Sequence, residues 1–182
     1  VWVTDEDIEL LARRGVTVLH NPISNLKLAS GVLPLAAARK HGVRVALGTD
    51  SVASNNNLNM MEELRMFLLV QKGFSGDATL LTPAEAMACA TRVGALAQGR
   101  DDCGWIVPGA RADLCVLDVS APAMQPVHDL LNNVAYSASG SDIVLTMCDG
   151  RVLYRDGQYP TMDIARVVYE TEVSRKRITG AL

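Results

Sequence analysis

The sequence predicts an α/β fold in which parallel strands joined by helices are followed by an antiparallel β module and a final helix. Two observations lead to this prediction: a helix–glycine–strand unit that occurs twice near the start of the chain, and a hairpin signal near residue 150. The chain has 182 residues, of which 49% are apolar, so it can bury a substantial core.

The first unit begins with a capped helix. Thr4 is a good N-cap, three acidic residues follow it at the positive end of the helix, and Ile8 and Leu11 recur at helical spacing. After Gly15, the run VTVLH (16–20) predicts a short buried strand that ends at Asn21-Pro22.

The same plan recurs in residues 38–50, where Gly42 takes the place of Gly15. Two successive units imply parallel strands joined by helical crossovers. In such folds the loops at the carboxyl ends of the strands carry the chemistry. The segments 20–25 and 48–51 are therefore where we expect the functional residues.

Two helices are predicted after the second strand. The first runs from Met60 to Lys72, with an asparagine cap before it and Gly73 as its stop. The second starts at Thr82-Pro83 and runs to about Ala97, with Glu85 placed to complete a capping box.

The character of the chain then changes to antiparallel β structure. Strands are predicted at residues 112–118, 143–147 and 151–154, and Asp149-Gly150 is a two-residue hairpin turn between the last two. We therefore predict three regions: βα units over 1–100, a β module over 101–160 and a helix in 161–182.

The final helix is predicted to run from Met162 to about Lys176. Its apolar residues recur at helical spacing and predict a buried face, made of Ile164, Val167, Val168 and Val173.

Composition and charge exclude several kinds of function. The chain has 17 basic and 20 acidic residues and no basic stripe, which argues against nucleic acid as a partner. No apolar run approaches the roughly 18–20 residues of a membrane span, and the first residues do not resemble a signal peptide. The four cysteines are scattered, which favours a reducing cytoplasm.

Asp50 is the strongest candidate for chemistry. A carboxylate directly after an apolar strand can bind a metal ion or accept a proton, although it can also simply cap the following loop. His20 ends the first strand, where it can be a ligand or a hydrogen-bonding residue of its loop. Because the two strand ends are equivalent, we expect both residues to face one crevice.

Two motifs at these strand ends resemble the amidohydrolase superfamily, in its branch of cytosine, guanine and adenosine-type deaminases. They are HNPISNLKLASG (20–31) and LGTDSVASNN (47–56). The stretch 55–65 with LVQKG (69–73) looks most like the methylthioadenosine/S-adenosylhomocysteine deaminases. GARADL (109–114) and CDGRV (148–152) match the pattern with which such proteins return to a small β-sandwich.

The resemblance implies the carboxyl-terminal part of a metal-dependent hydrolase (β/α)8 TIM barrel, with a small antiparallel β-sandwich module and a C-terminal helix. It implies an enzyme that hydrolyses the amino group from an adenine-type nucleoside, such as S-adenosylhomocysteine, methylthioadenosine or adenosine, and releases ammonia. One divalent metal is implied, commonly zinc, with iron or manganese as alternatives. The expected partner is a small purine nucleoside, with neither nucleic acid nor membrane involved.

The resemblance also assigns roles to residues of this chain. Asp50 matches the aspartate that binds the metal, takes a proton from the attacking water and passes it to the leaving amine. The residues expected to shape the substrate pocket or its loops are His20, Asn21, Ser24, Asn25 and Ser51.

The family's other metal-binding histidines have no counterpart here, because they would precede Val1. A lone Asp50 cannot hold zinc tightly, so we expect the chain to be inactive by itself. Alternatives are another amidohydrolase, acting on guanine-type or triazine rings, or a non-catalytic binding module whose open sheet edges need a partner. Homo-oligomers are usual for the resembled family.

Overall fold

The computed structural model describes residues 1–180, which form two compact units. Unit 1 consists of residues 1–110 and 119–142, and unit 2 consists of residues 111–118 and the chain from 143 onward. The chain therefore passes twice from unit 1 to unit 2: residues 111–118 add one segment to unit 2, residues 119–142 belong again to unit 1, and the chain enters unit 2 a second time at residue 143.

Unit 1 contains two parallel strands and eight of the helices that the structure describes. In chain order they are α1 (Asp5–Arg13), β1 (Thr17–His20), α2 (Pro22–Lys27), α3 (Leu35–Lys40), β2 (Arg44–Leu47), α4 (Val52–Asn55), α5 (Met60–Ser75), α6 (Pro83–Ala90), α7 (Arg92–Ala97) and α8 (Leu130–Tyr136). Short 3₁₀ turns cover Pro122–Met124 and Gly140–Asp142.

The repeated αβ unit forms as predicted, but its first strand is only partly buried, since Leu19 is 61% exposed. Strands β1 and β2 pair in parallel, with His20 opposite Leu47 at their carboxyl ends. Gly15 and Gly42 both have positive φ, +64° and +72°, which lets the chain turn from a helix into each strand. The two strand-end loops therefore start side by side.

Both predicted caps are confirmed. Thr4 Oγ1 accepts a hydrogen bond from the Asp7 amide at 3.2 Å, and Thr82 Oγ1 accepts one from the Glu85 amide at 3.3 Å. The Asp7 and Glu85 carboxylates bond back to the amides of their caps, so both helices begin with capping boxes.

The central helix α5 is longer than predicted. Leu64, Phe67 and Leu68 are its fully buried core side chains. It passes through Gly73 and ends at Gly76, whose φ is +67°. A glycine inside a helix costs only about 1 kcal/mol, which the packing of this face outweighs.

The predicted helix from Thr82 to about Ala97 is two helices in the structure. Thr91, with φ −124° and ψ −91°, separates α6 from α7. Its hydroxyl bonds back to the Met87 carbonyl at 2.8 Å, a side-chain contact that competes with the helical backbone pattern.

Unit 2 is an antiparallel sheet followed by a helix. Strands β3 (Leu114–Leu117), β4 (Ile143–Cys148) and β5 (Arg151–Arg155) lie in the order β3-β4-β5. The predicted Asp149-Gly150 hairpin is confirmed, since Cys148 pairs with Arg151 across it.

Helix α9 (Ile164–Thr179) corrects one prediction. No side chain of this helix is buried among the described residues. The four residues of its predicted buried face are 38–64% exposed, and they are Ile164, Val167, Val168 and Val173. Helical spacing identifies an apolar face, but it does not identify what covers that face.

None of the described helices is both long enough and apolar enough to cross a membrane.

Candidate active site

Asp50 lies three residues beyond the end of β2, in a strained backbone position. Its φ is +60°, a left-handed conformation that is uncommon outside glycine and best tolerated by Asn and Asp. The side chain is therefore turned away from the direction that a continuing strand would give it. Such outliers occur where neighbouring contacts hold the backbone, often at functional sites.

The Asp50 carboxylate joins the two strand-end loops. Ser24 Oγ, from α2, donates to Asp50 Oδ2 at 2.7 Å, and the Ser51 amide donates to Oδ1 at 2.8 Å. Hydrogen bonds from Ser24, then Ser54, then the Ser51 backbone lower the pKa of Asp50 below its ordinary value. Asp50 is exposed and ionised at neutral pH, so it is accessible as a ligand or proton acceptor.

His20 lies in different surroundings. Its side chain is 2% exposed, and its ring meets the edge of Phe67 at a centroid distance of 5.3 Å. The Gln71 amide lies 3.4 Å from His20 Nε2 and also donates to the Leu33 carbonyl at 3.1 Å. Burial, partly offset by a hydrogen bond with Asn25, lowers the pKa of His20 to about 4, so the ring is neutral at pH 7.

His20 and Asp50 have different contacts, and that they face one crevice stays a prediction. Phe67 and Gln71 surround the histidine, whereas Ser24 and Ser51 hold the aspartate. His20 belongs to the packing beneath the loops, because its ring is buried against Phe67 and the Gln71 amide.

Asn21 and Gly48 bring the two loops into close contact. The Gly48 amide donates to the His20 carbonyl at 3.0 Å. A Cβ atom on Gly48 would lie 2.5 Å from Asn21 Oδ1, so a larger residue cannot fit without displacing the asparagine. Gly48 thus allows the loop after β1 to pack against the end of β2.

The remaining predicted loop residues have local roles. Ser51 caps the short helix α4, since its Oγ accepts from the Ser54 amide at 3.4 Å. The Asn25 amide bonds to the Asn21 carbonyl at 2.9 Å within α2, and the Asn25 side chain reaches His20. All five predicted loop residues therefore take part in the two strand-end loops or their support.

Sequence reasoning missed two buried polar residues, Glu63 and Asn55. Glu63 is 0% exposed, and its Oε2 accepts from the Ile23 amide at 3.2 Å. Asn55 is 6% exposed, and its Nδ2 donates both to Glu63 Oε1 and to the Thr49 carbonyl, the latter at 2.7 Å. Burial raises the pKa of Glu63, and the negative charges of Glu62 and Asp50 add to this effect.

A signal for Glu63 was available in the helical spacing. Glu63, Phe67 and Gln71 follow one another at intervals of four, which places all three on the same face of α5. Polar residues on the core-facing side of a helix are unusual, and each needs a partner.

The residues that the structure describes do not by themselves form a closed metal site. They contain no group of three or more His, Cys, Asp or Glu side chains placed to hold an ion. Asp50 fits one position of such a site, because it is an exposed, ionised oxygen ligand held by two hydrogen bonds.

Comparison with known proteins places these loops in a family. Residues 1–153 match the model of the amidohydrolase family. The chain belongs to the amidohydrolase family. It is 44% identical over 172 residues to a 5-methylthioadenosine/S-adenosylhomocysteine deaminase of Dictyoglomus thermophilum, a match that covers 94% of this chain and 40% of that protein.

Two further relatives are similarly close. A 5'-deoxyadenosine deaminase of Methanothermobacter thermautotrophicus is 43% identical over 180 residues, covering 99% of this chain and 42% of that protein. The crystal structure of an adenosine deaminase from Xanthomonas campestris with bound zinc superposes with a TM-score of 0.94 at 38% identity, over 98% of this chain and 41% of that one. This amidohydrolase chain therefore spans about two fifths of the length of its relatives.

Proposed function

We propose that this amidohydrolase chain is the carboxyl-terminal part of a metal-dependent deaminase that releases ammonia from an adenine-type nucleoside. The observation that carries the proposal is the geometry of Asp50, an exposed and ionised carboxylate held at the carboxyl end of β2 by Ser24 and Ser51. The relatives named for deaminating methylthioadenosine, S-adenosylhomocysteine, 5'-deoxyadenosine or adenosine supply the substrate class.

Asp50 is the proposed metal ligand and proton shuttle. A divalent metal, zinc by analogy with the zinc-bound relative, would lower the pKa of a water molecule toward neutrality when bound. The Asp50 carboxylate accepts the proton of the attacking water and delivers it to the leaving amine. Ser24 and the Ser51 amide hold the two carboxylate oxygens in place during this exchange.

The substrate pocket in this proposal is bordered by the loops after β1 and β2. Ser24, Asn25 and Ser51 shape these loops, while Asn21 packs against Gly48 to keep them together. His20 supports the first loop from beneath as a neutral, buried ring.

The proposed architecture is the last part of a (β/α)8 barrel. Strands β1 and β2 form a parallel sheet of only two strands among the described residues, and Leu19 within it is 61% exposed. Further strands of a barrel would pair with both edges and cover that leucine. Residues 1–100 would supply the barrel units and 101–160 the β-sandwich module, although 119–142 belong to unit 1. Residues 161–182 would supply the final helix, with 181–182 outside the described residues.

The chain alone is proposed to be inactive, because one carboxylate cannot hold the metal. Location in the cytoplasm and assembly of the full-length enzyme into homo-oligomers stay predictions.

The test compares the full-length polypeptide that carries this chain with the 182-residue chain alone. Both are stripped of metal, given zinc, and assayed for ammonia release from adenosine, methylthioadenosine and S-adenosylhomocysteine. We expect zinc-dependent turnover only in the full-length protein. Turnover by the chain alone would overturn the inactivity proposal. A preference for guanine or a chlorotriazine would overturn the substrate class, and no activity on any of these compounds would favour a binding module.

A further inference from the structure

Glu63 is the one carboxylate in the described chain that is wholly enclosed, and its partners are neutral groups. Its two oxygens accept from the Ile23 amide and from the Asn55 side chain. Burying a carboxylate among neutral groups costs free energy of folding, so a glutamate at a buried position needs a specific explanation. Filling the core does not supply one, since Leu64 and Phe67 beside it do so without a charge.

The contacts of Glu63 lead to both strand-end loops. Ile23 follows β1, and Asn55 ends α4, which follows β2. Asn55 connects Glu63 to the Thr49 carbonyl at 2.7 Å, and Thr49 is bonded directly to Asp50 in the chain. A continuous set of contacts thus runs from the buried face of helix α5 to the backbone beside Asp50.

The Asn55 side-chain amide is oriented so that its nitrogen donates to both neighbouring acceptors. Its Nδ2 faces two acceptors, whereas its Oδ1 is buried with no hydrogen-bond partner in the described chain. The opposite orientation would place Oδ1 against the Glu63 carboxylate and the Thr49 carbonyl, both acceptors. Asn55 leaves one oxygen unpaired in order to donate twice.

We propose that Glu63 is a positioning residue that, through Asn55 and Thr49, holds Asp50 in its left-handed conformation beside Ser24. The inference rests on the function proposed for Asp50. Asp50 occupies a φ that its own backbone disfavours, so its position depends on the neighbouring contacts. The Glu63 carboxylate holds Asn55, which binds the Thr49 carbonyl directly before Asp50 in the chain. The Ser51 amide, directly after Asp50, binds its carboxylate.

The experiment compares four variants of the full-length polypeptide: Glu63→Gln, Asn55→Asp, the double variant, and Glu62→Gln as the matched control. Glu62 is the exposed neighbour in α5 and bonds to Asn57 and Asn59. Five quantities are measured: the unfolding midpoint, the bound zinc per chain, kcat, KM on the preferred nucleoside, and hydrogen exchange in the peptide that covers 48–56.

The double variant separates positioning from packing. A glutamine at position 63 can accept from the Ile23 amide and donate to an aspartate at position 55, which restores the buried pair. In the double variant the Thr49 carbonyl faces a carboxylate oxygen of position 55 where the wild type has the Asn55 amide nitrogen. The hydrogen bond to the Thr49 carbonyl is therefore not restored. We expect the unfolding midpoint to return most of the way to that of the wild type.

Catalysis should not recover with stability. We expect kcat to be about ten- to a hundredfold lower in both single variants and in the double variant, with KM changed far less, bound zinc reduced and exchange over 48–56 faster. Glu62→Gln should match the wild type. Normal kcat in Glu63→Gln, or recovery of kcat together with the midpoint in the double variant, would overturn the proposal. If the wild type deaminates nothing, the proposed function fails, and the exchange data alone then decide whether Glu63 holds the loop.

Discussion

The two strand-end loops of unit 1 occupy equivalent places in the αβ repeat, yet their ionisable residues lie in opposite environments. His20 ends β1, is buried against Phe67 and Gln71, and is neutral at pH 7 because its pKa falls to about 4. Asp50 follows β2, is exposed, and stays ionised because hydrogen bonds led by that of Ser24 lower its pKa. Equivalent positions in a repeat therefore do not imply equivalent surroundings: one loop begins with a buried, neutral ring, and the other presents an exposed carboxylate.

The largest expected effect on stability lies beneath the His20 loop. Phe67→Ala removes a fully buried ring that packs against His20, and we expect it to lower the free energy of unfolding by about 3–5 kcal/mol. Urea unfolding followed by circular dichroism measures this change. The matched control is Phe74→Ala in the same helix, where the ring is 76% exposed and the effect should stay within about 0.5 kcal/mol. Equal effects of the two substitutions would contradict the burial of the His20 loop.

The neutral state of His20 predicts a specific acid sensitivity. The folded state lowers the pKa of His20 from 6.5 to about 4, so the unfolded chain binds more protons between these values. Stability should therefore fall as the pH falls through this window, by up to about 3 kcal/mol from this group. Unfolding free energies measured from pH 7 to pH 4 test this expectation.

Two substitutions isolate the contribution of His20. His20→Gln should remove most of the pH dependence in this window, while His128→Gln, at an exposed position, should leave it in place. An unchanged slope in His20→Gln would mean that the ring is not held neutral by the fold.

The contact between the two loops predicts a smaller effect. Gly48→Ala would place a Cβ atom 2.5 Å from Asn21 Oδ1 and should lower the free energy of unfolding by about 1–3 kcal/mol. Adding Asn21→Ala removes that oxygen, so the double variant should recover most of the loss. Gly73→Ala is the control, because nothing lies within 4 Å of the added atom in α5, and it should raise stability by about 0.4–1 kcal/mol. A tolerated Gly48→Ala would show that the loops do not depend on this close approach.

Local signals in the sequence were sufficient for much of the fold. The N-cap at Thr4, the capping box at Thr82 and the hairpin at Asp149-Gly150 depend on residues within a few positions of each other, and each formed as predicted. The parallel pairing of β1 and β2 followed from the repeat. These features require no knowledge of distant contacts.

The features that sequence reasoning missed depend on distant contacts. Helix α5 continues through Gly73 because its buried face packs in the core, and the apolar residues of α9 are exposed although their spacing predicted burial. Glu63 bonds to Ile23, which lies 40 positions away. The positions of Asp50 and Ser24, 26 residues apart, were predicted as neighbouring loops, but their hydrogen bond was not.

The substitution Asp50→Asn in the full-length polypeptide, measured with zinc present, tests the proposed role of Asp50 most directly. Asparagine tolerates the left-handed backbone and keeps one oxygen for Ser24, so the unfolding midpoint should change little. We expect kcat for the adenine-type nucleoside to fall by about a hundred- to ten-thousandfold, and bound zinc to decrease. The control is Asp77→Asn, which should leave kcat and bound zinc unchanged. Asp77 is also an exposed aspartate, and its pKa is lowered by hydrogen bonds from the Thr79 side chain and then from the Thr79 backbone. A near-normal kcat in Asp50→Asn would contradict its role as ligand and proton shuttle.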